Sequence, residues 1–156
     1  MKLNEFLKNV KGKVVIAGIG NPLRGDDAVG SYIVKELNNK LRAILIDCED
    51  QPERFIEKIV ENKPETVIFI DAVHMNQKPG SVVFMRETDL EEYTGISSHQ
   101  TNLKHCIDYI KAKITCKIFI VAIQPENTEF GRSMSKKILE VAETLRHLFI
   151  QTLNKN

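Results

Sequence analysis

The sequence contains no tryptophan and few other aromatics, so it has little with which to build a base-stacking surface. Its 22 basic and 21 acidic residues nearly cancel, and no basic field favours nucleic acid or an anionic membrane surface. The longest apolar run, near Ile118–Ile123, is far too short to cross a bilayer. Met1 to Lys11 alternates charged and apolar residues, without the continuous apolar stretch of a signal peptide. The three cysteines, Cys48, Cys106 and Cys116, are scattered and form no CxxC pair, as expected of reduced thiols in the cytoplasm. His105 stands next to Cys106, but consecutive helical residues do not face each other, so adjacency gives a thiol nucleophile little support. There is no HExxH helix and no cysteine cluster, which removes the self-contained zinc-protease pattern.

Short apolar runs alternate with segments of helical period. Val14–Ile19, Ala43–Asp47, Thr66–Asp71, Ser81–Arg86 and Lys117–Ile123 read as strands. Ala28–Leu37, the stretch around Phe55–Val60, Leu103–Lys111 and Ser133–Ile150 read as helices. Strands that are apolar on both faces, separated by helices, predict an α/β fold with a mostly parallel sheet covered on both sides. Beyond Asp71 the alternation breaks, so the fourth strand is expected to pair antiparallel at an edge. At 156 residues the chain suits one domain, with its core at about 13–150 and a short extension before Lys13. In such folds the carboxyl ends of the strands form the functional crevice.

The first strand runs into Gly18-Ile19-Gly20-Asn21-Pro22-Leu23-Arg24-Gly25-Asp26-Asp27. A dinucleotide fingerprint would need glycine at Leu23, and the two carboxylates stand where a phosphate would meet the helix, which excludes nucleotide here. Asp26 is expected to cap the helix, a task asparagine would also perform, leaving Asp27 free for other chemistry. The third strand delivers Asp71 to the same crevice, with His74 shortly after it. A polar loop carries His99, and the last strand ends at Gln124-Pro125-Glu126, where Glu126 either contacts substrate or simply starts a turn. Two carboxylates and an imidazole make a three-ligand set for a borderline divalent ion with positions left open.

Four segments taken together resemble the hydrogenase maturation endopeptidases, particularly the formate-hydrogenlyase-type branch. They are Gly18 to Gly30, Ile70-Asp71-Ala72, Ser98-His99-Gln100 and Ile123-Gln124-Pro125-Glu126, in the family's order. The resemblance implies a three-layer α/β sandwich with a five-stranded twisted sheet between helices. It also implies that Asp27, Asp71 and His99 are the metal-binding and catalytic residues, Asp27 standing where some relatives carry glutamate. The expected activity is endoproteolytic removal of a C-terminal extension from the precursor of a nickel-iron hydrogenase large subunit. Nickel would arrive in that precursor, with no permanently bound cofactor, and the enzyme would be a monomer. A rival with the same fold is a metal-sensing chaperone that binds the precursor without cutting it.

Overall fold

The structure, a computed structural model, describes residues 1–93 and 98–154, with the side chains of Tyr93 and Ser98–Thr101 outside that description. Five strands, β1 Val14–Gly18, β2 Ile44–Asp47, β3 Thr66–Ala72, β4 Val82–Arg86 and β5 Lys117–Ile123, form one sheet in the order β2-β1-β3-β5-β4. All neighbours run parallel except β4, which pairs antiparallel with β5 at the edge, as the break after Asp71 foretold. Among the described residues no helix is long and apolar enough to cross a membrane.

Helices cover both faces. The longer ones are α1 Leu3–Asn9, α2 Val29–Leu37, α5 Ser98–Lys113 and α6 Lys136–Leu153; α3 Ile56–Glu61 and α4 Leu90–Tyr93 are short. Because strand side chains alternate, Ile16, Ile68, Ile70 and Val121 pack with α1, α2 and α6. Val15, Val67, Phe69 and Ile120 face the opposite layer, with Ile59 of α3 and Leu103, Ile107 and Ile110 of α5. Two apolar cores thus sandwich a sheet buried on both sides.

Two segments differ from the sequence reading. The residues before Lys13, read as a short extension outside the core, contribute to it: Phe6 of α1 is fully buried, with its ring 4.9 Å from that of Phe84 and 5.5 Å from that of Phe119. Its partners lie on β4 and β5, so no local periodicity announced it. The polar stretch Ser98–Asn102, read as a loop, already belongs to α5. Helix periodicity is carried by apolar residues, and the first one here is Leu103.

The crevice end of the sheet is held together by close backbone approaches. A Cβ on Gly30 would lie 2.1 Å from the Ile70 carbonyl oxygen and 2.3 Å from that of Ile19, so only glycine lets α2 sit this close to β1 and β3. Gly25 has φ +53° with the Asn127 carbonyl 2.5 Å from where its Cβ would be, again a place for glycine alone. Around it the loop after β1 pairs with the loop after β5. The Gly25 amide donates to the Arg132 carbonyl at 2.9 Å, Asp26 to Asn127 at 2.8 Å, and Gly131 to Leu23 at 2.7 Å.

Asp26 completes this pairing, and its expected role as a helix cap is corrected. Neither the 3-10 turn Gly25–Ala28 nor α2 has a side-chain cap. The Asp26 carboxylate is fully buried and accepts from four donors: the amides of Glu126 (2.8 Å), Asn127 (2.9 Å) and Ser135 (2.6 Å) and the Ser135 hydroxyl (3.0 Å). Asparagine would turn an N–H₂ group toward donors and leave some of them without an acceptor, at a cost of about 2–3 kcal/mol. Asp26→Asn is therefore expected to lower Tm by roughly 5–10 °C in a thermal melt. An unchanged Tm would mean that the buried carboxylate is not what holds the loops.

Candidate active site

Gly18 pairs with Ile70 in the sheet, and the Ile19 amide donates to the Ile70 carbonyl at 2.8 Å, so the exits of β1 and β3 run side by side. From these exits come the two carboxyl groups singled out in the sequence. Asp27 is half-buried in the 3-10 turn that leads into α2. Its Oδ2 accepts from the Asn21 amide at 3.0 Å, while Oδ1 has no hydrogen-bond partner among the described residues. Asn21 is itself fixed: its side-chain oxygen accepts from the Leu23 amide at 2.9 Å, and its Nδ2 donates to Asp50 at 3.3 Å. The turn thus ties down one Asp27 oxygen and, among the described residues, leaves the other without a partner.

Asp71 occupies the penultimate position of β3 and is only 4 % exposed. Burial holds its carboxyl well above the usual carboxylate range, and the negative charge of Asp27 adds to the effect. A backbone hydrogen bond at Ala72 pulls weakly the other way. Among the described residues no cation contributes to its environment. The structure therefore brings Asp27 and Asp71 into electrostatic contact in a site with low dielectric, the arrangement that separates the proton affinities of two carboxyl groups.

His99 lies in the first turn of α5, and its side chain is outside the described residues. Among the described residues, no three His, Cys, Asp or Glu side chains are grouped to hold a metal. His74 is exposed. It lines an open depression of about 650 Å³ together with Glu126, Asn127, Glu129, Arg132 and Met134. Glu126 is exposed at its rim and contributes its amide, not its carboxylate, to Asp26.

The supporting roles of two residues at the site were not read from the sequence. Gln124 is buried, and its side-chain oxygen accepts from the amides of Met75 (2.7 Å) and Gln77 (3.3 Å), shaping the loop that follows Asp71. A buried polar residue directly after an apolar strand was the available signal. Ser135 binds Asp26 and also caps α6, with the Ile138 amide 3.4 Å from its hydroxyl. The thiols are not nucleophiles in waiting. Burial pushes Cys48 up to about 12 and Cys106 to about 11, which leaves both protonated at neutral pH.

Comparison with known proteins agrees with this geometry. Residues 29–152 match the family model described as hydrogenase maturation protease. A protein of Methanocaldococcus jannaschii assigned to the hydrogenase maturation proteases is 33 % identical over 164 residues, covering 92 % of this chain and 96 % of the relative. The hydrogenase 3 maturation protease of Escherichia coli is 29 % identical over 133 residues, with 84 % and 85 % covered. The crystal structure of the NiFe hydrogenase maturation protease HycI from Thermococcus kodakarensis superposes with a TM-score of 0.88 at 31 % identity, covering 99 % of this chain and all of that one. A paired-carboxyl crevice on this sheet, and a family match over most of its length, lead to one assignment: the chain belongs to the hydrogenase maturation proteases.

Proposed function

We propose that the chain removes a C-terminal extension from the nickel-loaded precursor of a NiFe-hydrogenase large subunit. The observation that carries this reading is the pair Asp27 and Asp71: among the described residues, one oxygen of Asp27 has no hydrogen-bond partner and the buried Asp71 carboxyl has no cation to balance it. A buried carboxyl held back from ionising gains most when a cation reaches it, because the ion offsets both the burial and the neighbouring like charge. In this reading the ion comes with the substrate. Asp27, Asp71 and His99 add carboxylate and imidazole ligands to a nickel already held by precursor thiolates, a set suited to a borderline divalent ion.

The same residues then place the scissile bond. Two routes to hydrolysis use them: the ion polarises the carbonyl or activates a bound water, or one carboxylate takes the proton of the attacking water. Either route makes cleavage conditional on prior loading, so that an empty large subunit is not closed. The names of the relatives, all concerned with hydrogenase maturation, support this choice of partner. We further infer a cytoplasmic monomer that meets its precursor free in solution.

Purified enzyme offered metal-free and nickel-loaded precursor, without free metal, is expected to shorten only the loaded form, as read by mass spectrometry. Equal cleavage of both would defeat the dependence on nickel. Binding of the loaded form with no change in mass would make the protein a chaperone. Asp27→Ala and His99→Ala should each reduce cleavage at least about a hundredfold while leaving the melt intact, since losing even a residue that only supports a metal ligand costs roughly 10–100-fold.

Asp71→Asn separates function from stability. In the folded chain Asp71 keeps its proton to a higher pH than in the unfolded chain, so the stability associated with that proton is full in acid. It is lost as pH rises from about 4 through the raised value. Asparagine removes this penalty, so the variant should be inactive yet melt above the wild type at pH 7, with the gap shrinking toward pH 4. A gap that stayed constant with pH would contradict the strained carboxyl.

A further inference from the structure

Among the described residues, Leu23 and Phe130 are the large apolar side chains left strongly exposed, at 58 % and 70 %. Isolated surface hydrophobics are common and mean nothing singly. These two are not independent. They lie 107 residues apart in sequence, yet the Gly131 amide donates to the Leu23 carbonyl at 2.7 Å, which sets the two positions next to each other. Both belong to the paired loops that Asp26 latches, and Asp26 is bonded in sequence to Asp27. Leu23 is also tied to the site through Asn21, whose side chain accepts from its amide and whose own amide holds Asp27. The surroundings differ in character. The depression lined by the residues that flank Phe130 in sequence is walled by His74, Glu126, Glu129 and Arg132, and the last two pair at 3.2 Å.

We propose that Leu23 and Phe130 form a two-point apolar grip for an apolar side chain of the precursor segment beside the scissile bond. The adjoining polar depression takes that segment's backbone and its more polar residues. This rests on the reading of the chain as the precursor's endopeptidase and adds a specificity element to the same site. The physical case is one of continuity. The grip is anchored to the turn that carries Asp27, so a side chain seated there fixes the distance from the precursor's backbone to the carboxyl pair. A rigid seat needs no reordering when substrate arrives, which is where binding energy is otherwise lost. A desolvated apolar anchor at the centre of a contact is also the kind of residue that carries most of its energy. A second copy of the chain would be an alternative occupant, but two side chains are far less than the surface a stable dimer buries.

The test uses Leu23→Ala and Phe130→Ala, with Phe130→Leu as the conservative variant, in the full chain with purified nickel-loaded precursor. Both side chains are exposed, so Tm should not move. We expect each alanine variant to raise KM for the precursor on the order of tenfold, with kcat at saturation kept, and Phe130→Leu to recover most of the loss. Unchanged KM in both alanine variants would overturn the grip, as would loss of kcat at unchanged KM. So would a wild type that self-associates in sedimentation and stops doing so in the variants, because the pair would then serve a second copy. Should the wild type itself cleave nothing, the endopeptidase reading fails by itself. The grip is then decided by precursor Kd, where equal affinity of wild type and Phe130→Ala overturns it.

Discussion

The Asp26 carboxylate, fully buried and surrounded by donors from Glu126, Asn127 and Ser135, joins two loops that leave the sheet at strands on either side of β3. Other features of the crevice depend on this junction. It fixes the turn that presents Asp27, it sets the start of α6 through Ser135, and it holds Leu23 and Phe130 at one edge. Glycine at positions 25 and 30 makes the junction possible by letting backbone meet backbone where a Cβ would collide. Two adjacent aspartates thus divide their labour. Asp26 spends all its hydrogen-bonding capacity inward, and Asp27 keeps one oxygen without a partner among the described residues.

Asp71 illustrates the opposite economy. A carboxyl on a doubly buried strand, next to another acid and with no cation beside it among the described residues, lowers the stability of the empty protein. Such a group persists where it serves a task, and perturbed carboxyls beside a specific charge partner concentrate at functional sites. In the function proposed above, an ion delivered by the substrate would relieve this strain at the moment of recognition.

Much of this was legible in the sequence because it depends on local pattern. The β-branched runs marked all five strands, the rule that parallel strands present their carboxyl ends drew attention to Asp27 and Asp71, and the break after Asp71 announced the antiparallel edge strand. What depended on distant partners was not legible. Asp26 looked like a helix cap because its acceptors' partners lie 100 to 109 residues away. Phe6 looked peripheral because its ring neighbours are on β4 and β5. Gln124 stood in the sequence only as one letter of a motif, whereas its side-chain oxygen supports the backbone at Met75 and Gln77. The polar start of α5, with His99, carries no apolar period and so read as loop.

The central claim is that the chain's carboxyl groups complete the coordination of a metal that the substrate brings. Nickel X-ray absorption reports it directly, on loaded precursor alone and on loaded precursor rapidly frozen after mixing with wild-type enzyme or with Asp27→Ala. The account predicts that wild-type enzyme adds oxygen or nitrogen ligands to the nickel before cleavage, and that Asp27→Ala adds fewer. A nickel first coordination sphere identical in all three samples would contradict it.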